Sequence, residues 1–353
     1  MKIAVLLSGG VDSSVALRLL QDRGHELTAF YLKIWLEDES AFLGECPWEE
    51  DLRYARTVCD SVGVPLRIVP FQREYYEKVV SYTIAEIKAG RTPNPDIFCN
   101  SLIKFGAFLD KFGDQFDKIA TGHYAQIKEN KGVFQLYRAP DPVKDQTYFL
   151  AKLTQNQLKK ALFPIGHLHK EQVRELATKY ALATQDRKDS QGICFLGKLK
   201  FNEFINHYLG EKPGDMIEFE TGNVLGQHKG FWYHTIGQRQ GSGLAGGPWY
   251  VVAKNPEKNC VYFSRNYYSE EKKRDSFDVE NINWIENCAP TKNDLQVKMR
   301  HGKQMYNCHV DMNADNSAHI KLTDHDQGIA PGQFAVLYDG ERCLGSGVIK
   351  NQS

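Results

Sequence analysis

The chain has no excess of charge of either sign. Its 353 residues include 44 Lys and Arg and 44 Asp and Glu, which gives a formal net charge of zero at pH 7. Bulk charge therefore gives no sign of a nucleic-acid partner, and any such partner must be held by local clusters of basic side chains. Long apolar runs are also missing, since none approaches the ~20 residues of a membrane span. Because the first residues already form an apolar strand, we expect no signal peptide, no membrane partner and a cytoplasmic location.

Closely spaced cysteine pairs are absent as well. The eight cysteines are scattered and form no CxxC motif, so we expect neither a structural zinc site nor a disulfide framework. We predict that five of them are small buried apolar side chains: Cys59, Cys260, Cys288, Cys308 and Cys343. Cys99 and Cys194 differ because of their neighbours. We predict no metal site built from protein side chains alone.

The chain lacks the GK[ST] sequence of a Walker loop but contains another glycine-rich loop. Ser8–Ser14 reads SGGVDSS and lies between an apolar strand, Ile3–Leu7, and a helix-like run, Val15–Leu20. The glycines let the backbone approach an anion, the serine hydroxyls can donate to it, and the helix that follows offers unpaired N–H groups. The loop therefore predicts a phosphate site. A tight strand-to-helix turn without a ligand is the alternative.

Strand and helix patterns alternate in the first half of the chain, which predicts a doubly wound parallel sheet. We expect strands at Ile3–Leu7, Leu27–Leu32, Val64–Val69 and Lys118–Thr121. Apolar helix faces lie between them: Leu52, Ala55, Val58, Cys59 and Val62, and then Tyr76, Val79, Val80, Thr83, Ile84 and Ile87. Ligands of such folds bind at the carboxyl ends of the strands, where the glycine-rich loop and Thr121–Tyr124 both fall.

The second half of the chain changes to short alternating segments. From about Pro213 the pattern is mostly β, and Gly237–Gly247 is interpreted as a flexible loop. After a polar stretch, Ser269–Asp275, four segments are typical of barrel strands: Leu295–Arg300, Cys308–Met312, His319–Leu322 and Phe334–Tyr338. We therefore predict an α/β domain over 1–200, a small mostly β domain over 201–270 and a C-terminal β-barrel over 271–353.

Two cysteines stand in loops that could carry chemistry. In Arg91–Asn100, RTPNPDIFCN, Cys99 begins an apolar-periodic run, so we expect its sulfur near a helix N-terminus that favours the thiolate. Asp96 precedes it by three residues and could move a proton. In Asp186–Gly197, DRKDSQGICFLG, Cys194 follows a polar loop. Taken alone, each cysteine is more commonly a buried core residue, and Asp96 a turn residue.

Six motifs in this order resemble one family over nearly the whole chain. They are SGGVDSS, AGRTPNPDIFCN, ATGHYA, KDQTYFL, KDSQGICFLG and APGQFAVLYDG. Together they resemble the tRNA-specific 2-thiouridylases, the MnmA family, within the PP-loop ATP pyrophosphatases. The resemblance implies that ATP, with Mg²⁺, adenylates the C2 oxygen of a wobble uridine in a tRNA anticodon loop and that sulfur replaces this oxygen, leaving AMP and pyrophosphate. It also implies a persulfide-carrying donor protein and a monomer.

The resemblance also implies roles for individual residues. Cys99 matches the nucleophile, Cys194 the persulfide carrier and Asp96 the acid or base. The positions that match ATP contacts are Leu6, Leu7, Ser8, Gly9, Gly10, Val11, Asp12, Ser13, Leu32 and Gly122, with Asp12 a candidate Mg²⁺ ligand. The positions that match tRNA contacts are Asn94, Pro95, Asp96, His123, Val143, Lys144, Asp145, Arg300, Lys303 and Gln333, of which the first three would meet the base.

Several alternatives stay open at this point. The persulfide of Cys194 could attack C2 directly, or Cys99 could release sulfide that attacks C2 itself. An amidating ligase acting on a small metabolite would use the same glycine-rich loop without paired cysteines. A sulfur-relay or RNA-binding module without turnover is a third possibility. Finally, Cys99, Cys194 and Asp96 could hold an iron–sulfur cluster.

Overall fold

The first part of the chain forms a five-stranded parallel sheet. The computed structural model describes residues 1–34, 47–189, 201–270 and 274–350. The strand order is β3-β2-β1-β4-β7, and every pairing in this sheet is parallel. This confirms the predicted doubly wound sheet. The first seven strands of the chain are β1 Lys2–Leu6, β2 Glu26–Lys33, β3 Leu66–Pro70, β4 Lys118–Ala120, β5 Ala125–Asn130, β6 Val133–Arg138 and β7 Ala161–Leu162.

Helices cover both faces of this sheet. They are α1 Val11–Asp22, α2 Pro47–Val62, α3 Gln72–Tyr75, α4 Ser81–Lys88, α5 Pro95–Phe98, α6 Phe108–Phe112, α7 Thr147–Leu150, α8 Gln155–Lys160, α9 Lys170–Lys179 and α10 Phe201–Leu209. Wider helical turns at Tyr76–Val80 and Cys99–Ala107 join α3 to α4 and α5 to α6. Leu52, Ala55, Val58 and Cys59 of α2 are buried as predicted.

One residue of the predicted second helix face lies elsewhere. Val79, Val80, Thr83 and Ile87 are buried, but Tyr76 is 37% exposed, so its placement on that face was wrong. The backbone N–H of Ser81 donates to the carbonyl of Tyr76, five residues earlier. This wide turn changes the helical repeat and rotates Tyr76 away from the buried face.

The central part of the chain is a small four-stranded sheet. Its strands are β8 Gly214–Glu218, β9 Val224–His228, β10 Tyr250–Asn255 and β11 Cys260–Ser264, in the order β10-β11-β8-β9. Phe231, Trp249, Val251 and Phe263 form its apolar core. The segment 237–247 has no regular structure, as expected from its glycine content.

The C-terminal part is a closed barrel of six strands. They are β12 Ser276–Trp284, β13 Asp294–Lys298, β14 Tyr306–Met312, β15 Ala318–Leu322, β16 Phe334–Asp339 and β17 Arg342–Ile349. The order is β12-β15-β14-β13-β16-β17, and pairing of β12 with β17 closes the barrel. The four strands predicted from the sequence are present within one or two residues. The two closing strands were not predicted, and β17 contains two glycines, which weaken a strand pattern.

A hairpin from the first part of the chain joins the barrel sheet. Strands β5 and β6 pair with each other, and β6 continues the ladder by pairing Tyr137 with Arg342 and Leu136 with Cys343 of β17. This hairpin was not predicted. It belongs by sequence to the first domain and by hydrogen bonding to the barrel, so the division of the chain at 200 and 270 stays a prediction.

Four of the five cysteines predicted to be buried are buried. Cys59, Cys260, Cys308 and Cys343 lie in the core, but Cys288 is exposed, so that prediction was wrong. Cys288 lies in the turn that follows β12, where the N–H of Asn287 donates to the carbonyl of Trp284 and the chain leaves the barrel wall. Within the described ranges, no helix has the length and apolar character needed to cross a membrane.

Candidate functional site

The glycine-rich loop is a tight connection between β1 and α1. Gly9 has a φ of 75°, and a Cβ atom there would collide with the backbone carbonyl of Asp51 in α2. Glycine is therefore required at this position for two reasons, its backbone conformation and the close packing. Gly10 is extended and caps α1, which begins at Val11. The first N–H groups of α1 lack partners within the helix, a feature that suits an anion, and the phosphate site stays a prediction.

The serines of the loop fix its shape. The Ser13 hydroxyl lies 3.2 Å from the backbone nitrogen of Ser8 and 3.2 Å from its hydroxyl oxygen. Ser13 and Ser14 both donate to the carbonyl of Gly10, at 3.2 and 2.8 Å. Ser13 and Ser14 are buried, whereas Ser8 is exposed. Ser8 is therefore the loop hydroxyl most accessible to an incoming phosphate.

The structure brings the predicted ATP residues together at the carboxyl edge of the sheet. Gly122 follows β4, and a Cβ atom there would approach the backbone nitrogen of Ser13 to 2.6 Å. Only glycine fits against the start of α1 at this point. Leu6 and Leu32 lie near the ends of β1 and β2 on the same edge. Their assignment to ATP stays a prediction.

A network of charges that the sequence did not reveal surrounds Asp12. Its Oδ1 atom accepts hydrogen bonds from the Tyr124 hydroxyl at 2.7 Å and from Lys170 Nζ at 2.7 Å. Lys170 also lies 2.8 Å from Asp189. Burial raises the pKa of Asp189, but hydrogen bonds from Lys144 and Lys170 outweigh it and lower that pKa to about 2. Asp12 is therefore joined to Asp189 through a single ammonium group.

Arg187 supports the glycine-rich loop from the other side. It donates to the carbonyl of Gly9 at 2.7 Å and pairs with Asp51. Its guanidinium lies over the ring of Tyr54, 4.7 Å from the centroid. Arg187 and Asp189 both belong to the motif DRKDSQGICFLG; Arg187 contacts the glycine-rich loop, and Asp189 contacts Lys170 beside it. That motif was the only sequence signal for either residue.

The loop with Asp96 and Cys99 begins a helix earlier than expected. Asn94 precedes α5, which starts at Pro95, and Asp96 lies in its first turn. Proline suits the first helical position because it needs no N–H partner there. Cys99 follows α5 and continues the helical segment, so its predicted placement at the helix N-terminus was wrong. Its side chain is 2% exposed and packs in the largest apolar core.

The barrel holds the loop that precedes α5. Gln333 donates through Nε2 to the carbonyls of Thr92 and Pro93, at 3.2 and 3.0 Å. The hydroxyl of Tyr148 donates to Gln333 Oε1 at 3.3 Å and accepts from Asn94 Nδ2 at 3.5 Å. The structure therefore brings together Asn94 and Gln333, two residues that are 239 positions apart in the sequence. Tyr148 was not predicted as part of this group.

The other predicted tRNA positions differ in accessibility. Val143 is 49% exposed, whereas Asp145 is 1% exposed. Asp145 pairs with Lys298 at 3.0 Å and with Arg138 at 3.3 Å. Lys144 pairs with Asp189. The tRNA assignments of all three stay predictions, and the buried carboxylate of Asp145 connects α7 with the barrel.

His123 and the barrel residues lie in different environments. His123 is 9% exposed, its Nδ1 lies 2.6 Å from the Thr121 hydroxyl, and burial holds its pKa well below 6.5.

Arg300 donates to both oxygens of Asp326, at 3.2 and 2.5 Å. Lys303 is exposed. The ring of His301 stacks on Phe149, with centroids 4.7 Å apart.

Cys194 lies outside the described residues, so its distance from Cys99 stays a prediction. Within the described ranges, no three His, Cys, Asp or Glu residues form a metal site. Asp12, in the first turn of α1, would offer a carboxylate, and such a ligand fits Mg²⁺, which is commonly held by one or two carboxylates together with substrate phosphates and water.

Family models match three consecutive parts of the chain. Residues 1–198 match the model described as the tRNA methyl transferase HUP domain. Residues 202–265 match the tRNA methyl transferase PRC-barrel domain, and residues 274–349 match the aminomethyltransferase beta-barrel domain. The three matches therefore follow the same order as the parallel sheet, the central sheet and the barrel.

Full-length relatives named tRNA-specific 2-thiouridylase match the chain. The tRNA-specific 2-thiouridylase MnmA of Parabacteroides distasonis is 45% identical over 359 residues and covers 100% of both chains. The protein of that name from Porphyromonas gingivalis is 44% identical, with 99% of each chain covered. A solved structure of the U34-tRNA thiolase NcsA from Methanococcus maripaludis covers 55% of this chain and 60% of its own at 19% identity, with a TM-score of 0.36. That structural similarity is too low to support an assignment.

Proposed function

The chain belongs to the family of tRNA-specific 2-thiouridylases, and from this premise we propose that it replaces the C2 oxygen of a tRNA wobble uridine by sulfur at the expense of ATP. The observation that carries the proposal is the full-length identity to relatives of that name. The geometry supports it, because a glycine-rich loop before a helix N-terminus lies at the end of the sheet, and Gln333 of the barrel holds the segment that leads into the helix of Asp96. tRNA and a persulfide-carrying protein are the proposed partners.

The first chemical step is adenylation of the uridine. The C2 oxygen attacks the α-phosphorus of ATP, an O–P bond forms, and the bond to pyrophosphate breaks. The N–H groups at the start of α1 and the hydroxyl of Ser8 stabilise the charge on the departing pyrophosphate. Asp12 would hold Mg²⁺, which shares the phosphate charge when bound. The C2 oxygen, a poor leaving group by itself, then leaves as part of AMP.

The second step transfers sulfur. The terminal sulfur of a persulfide on Cys194 attacks C2, and AMP departs with the former C2 oxygen. The Cys99 thiolate then attacks the Cys194 sulfur, which breaks the S–S bond and leaves its electron pair on the sulfur of 2-thiouridine. The products are 2-thiouridine and a Cys99–Cys194 disulfide, which an external thiol must reduce. In the alternative route Cys99 attacks first and the released sulfide adds to C2.

The burial of Cys99 sets a condition on this chemistry. Its side chain is 2% exposed and packs near Ile97, Ile103 and Phe105. A thiol in such surroundings must be uncovered before it can attack a sulfur atom. We propose that base binding by Asn94, Pro95 and Asp96, directly before Cys99, accompanies this change.

The direct test is nucleoside mass spectrometry of tRNA incubated with the protein, ATP, Mg²⁺ and a persulfide donor. We expect 2-thiouridine, AMP and pyrophosphate in equal amounts. Cys99→Ser and Cys194→Ser should each abolish thiolation. Cys288→Ser is the matched control, because Cys288 is an exposed cysteine in a turn of the barrel, and it should retain activity.

Two results would contradict the proposed reaction, and a third would contradict the persulfide route. A methylated uridine without sulfur would point to the activity in the names of the first two family models. Amidation of a small metabolite without tRNA would favour the ligase alternative. Visible absorption by an anaerobically purified protein, lost in both cysteine variants, would favour an iron–sulfur cluster over the persulfide route.

A further inference from the structure

Lys170 lies at the centre of the charge network beside the phosphate loop. Its Nζ atom is 2.7 Å from Asp12 and 2.8 Å from Asp189. Asp12 is the second residue of α1, so the ammonium group lies next to the helix N-terminus that faces the loop. The side chain of Lys170 is 13% exposed. A cation at this position adds to the positive field of the helix N-terminus.

The supports of Lys170 fix its position before any ligand arrives. The carboxylate of Asp141 accepts hydrogen bonds from the backbone N–H groups of Lys170 and Lys144, both at 3.1 Å. The ring of Tyr124 lies 5.8 Å from the ammonium group. Because the backbone of Lys170 is held at the start of α9, only the side chain needs to turn toward a ligand.

Both carboxylates that Lys170 contacts have other donors. Asp12 also accepts from the Tyr124 hydroxyl. Asp189 also pairs with Lys144 and Arg174, each at 2.6 Å. Lys170 can therefore leave either carboxylate without stripping it of all its partners. The cost of leaving an unpaired charge, which usually keeps a lysine in a buried ion pair, is reduced here.

We propose that Lys170 is a phosphate-binding residue, whose ammonium group turns from Asp12 to the β- and γ-phosphates of ATP and remains on the pyrophosphate that leaves. The inference rests on the proposed function and extends it to a residue outside the glycine-rich loop. In this role Lys170 neutralises the charge that develops on the leaving group, and its departure opens Asp12 to Mg²⁺. The step moves no proton or electron and changes no covalent bond in the protein.

The experiment measures binding of inorganic pyrophosphate by isothermal titration calorimetry, without tRNA or sulfur donor. Lys170→Met and Lys170→Gln should weaken binding about tenfold or more, because each removes the ammonium group. Lys170→Arg should stay within about threefold of the parent protein because it keeps the charge. The matched control is Lys179→Met, an exposed lysine at the other end of α9, which should bind pyrophosphate normally.

A double variant separates direct contact from screening. If Lys170 only neutralises Asp12, then Asp12→Asn combined with Lys170→Met should restore parental affinity, and that result would overturn the inference. If Lys170 binds the phosphates, the double variant should stay at least about tenfold weak. Circular dichroism of each variant checks its fold, and Lys170→Gln serves where Lys170→Met does not fold.

The outcomes distinguish this inference from the proposed function. Parental binding by Lys170→Met and Lys170→Gln overturns the role of Lys170 and leaves thiolation untouched. Failure of the parent protein to bind pyrophosphate or ATP overturns both the role of Lys170 and the use of ATP. Thiolation is read separately by nucleoside mass spectrometry, where Lys170→Met should raise the ATP concentration needed for half-maximal rate.

Discussion

Individual cysteines occupy environments that differ in both exposure and charge. Burial raises the pKa of Cys59 to about 12, with the nearby Asp60 carboxylate adding to the effect. Burial likewise raises the pKa of Cys308 to about 12. The pKa of Cys343 is also raised, by burial and by Asp145. Cys288 is exposed. Since the thiolate is the reactive form, these differences predict an order of reactivity.

Thiol labelling at pH 8 should follow that order. With iodoacetamide and peptide mass spectrometry, we expect Cys288 to be modified at least about tenfold faster than Cys59, Cys308 or Cys343, because its side chain is exposed and theirs are buried. Cys99 should be slow without tRNA, since its side chain is 2% exposed. Rapid labelling of Cys99 in the isolated protein would contradict the buried state described here. The control is labelling of the protein unfolded in urea, where these cysteines should all react at similar rates.

Single residues also show where sequence reasoning stops. SGGVDSS predicted the tight loop between β1 and α1 because its residues are local in sequence and follow a strand. Lys170 is 158 residues from Asp12 in the sequence. It is the first residue of α9, and no local sequence pattern predicts its contact with Asp12. Tyr148 lies within a predicted motif, but its contacts with Asn94 and Gln333 depend on the packing of the barrel.

At the scale of elements, the central sheet encloses a pair of buried histidines. His228 and His234 are 5% and 6% exposed, and their ring centroids are 5.6 Å apart. Their Nε2 and Nδ1 atoms, respectively, have no hydrogen-bond partner in the part of the chain that the structure describes. Burial, together with His228 and Lys254, lowers the pKa of His234 to about 4. The neutral ring is therefore the form that the folded sheet favours.

This pKa predicts a loss of stability in mild acid. In the unfolded chain His234 binds a proton near pH 6.5, and in the folded chain only near pH 4. Between these values the unfolded state binds more protons, so the free energy of unfolding falls as the pH drops from about 6.5 to 4 and is then flat for this group. The loss approaches about 3 kcal/mol for a shift of this size.

His234→Phe should reduce this pH dependence. The phenyl ring keeps an aromatic side chain next to Phe263, whose ring lies 5.6 Å from that of His234, and removes the titrating nitrogen. Urea unfolding of both proteins at pH 7 and pH 5, followed by tryptophan fluorescence, measures the difference. Equal pH slopes in the two proteins would exclude His234 as the group responsible.

Elements with strong local patterns were predictable, and those that depend on distant partners were not. The central strand β1 of the parallel sheet is buried from Ile3 to Leu6 and is a continuous apolar run. The hairpin β5–β6 has a mixed pattern of apolar and polar residues. Its place in the barrel sheet depends on pairing with β17, which lies some 200 residues later, so no local pattern predicts it. The start of α5 was misplaced because Pro95 was interpreted as part of the loop, although proline is favoured at the first helical position.

At the scale of the whole molecule, a buried ion pair joins the barrel to the α/β part. Lys298 in β13 and Asp145 before α7 are both inaccessible at their side chains and lie 3.0 Å apart. Arg138 also pairs with Asp145, and the hydroxyl of Thr147 lies 3.1 Å from that of Tyr338. Such a pair adds little net stability over apolar packing, but loss of one partner leaves a buried charge.

Lys298→Met should weaken the docking of the barrel. We expect a loss of about 3–5 kcal/mol in the free energy of unfolding, because Asp145 stays buried with one cation fewer. Differential scanning calorimetry should show the unfolding transition shift to lower temperature and broaden or split as the barrel separates. Asp145→Asn combined with Lys298→Met should recover part of the loss. An unchanged single transition in Lys298→Met would contradict this role of the pair.

Strand β17 has consequences for how this architecture can be inherited. Its first residues, Arg342 and Cys343, pair with β6, while the residues from Gly345 to Ile349 pair with β12. A gene fragment that encodes only the barrel would leave Arg342 and Cys343 paired with β16 but unpaired on the side that faces β6, and exposed strand edges promote misassembly. Recombination between relatives can therefore exchange the barrel only together with a compatible β5–β6 hairpin. The hairpin and the barrel, which would have to be exchanged together, are separate in the gene although they are neighbours in one sheet.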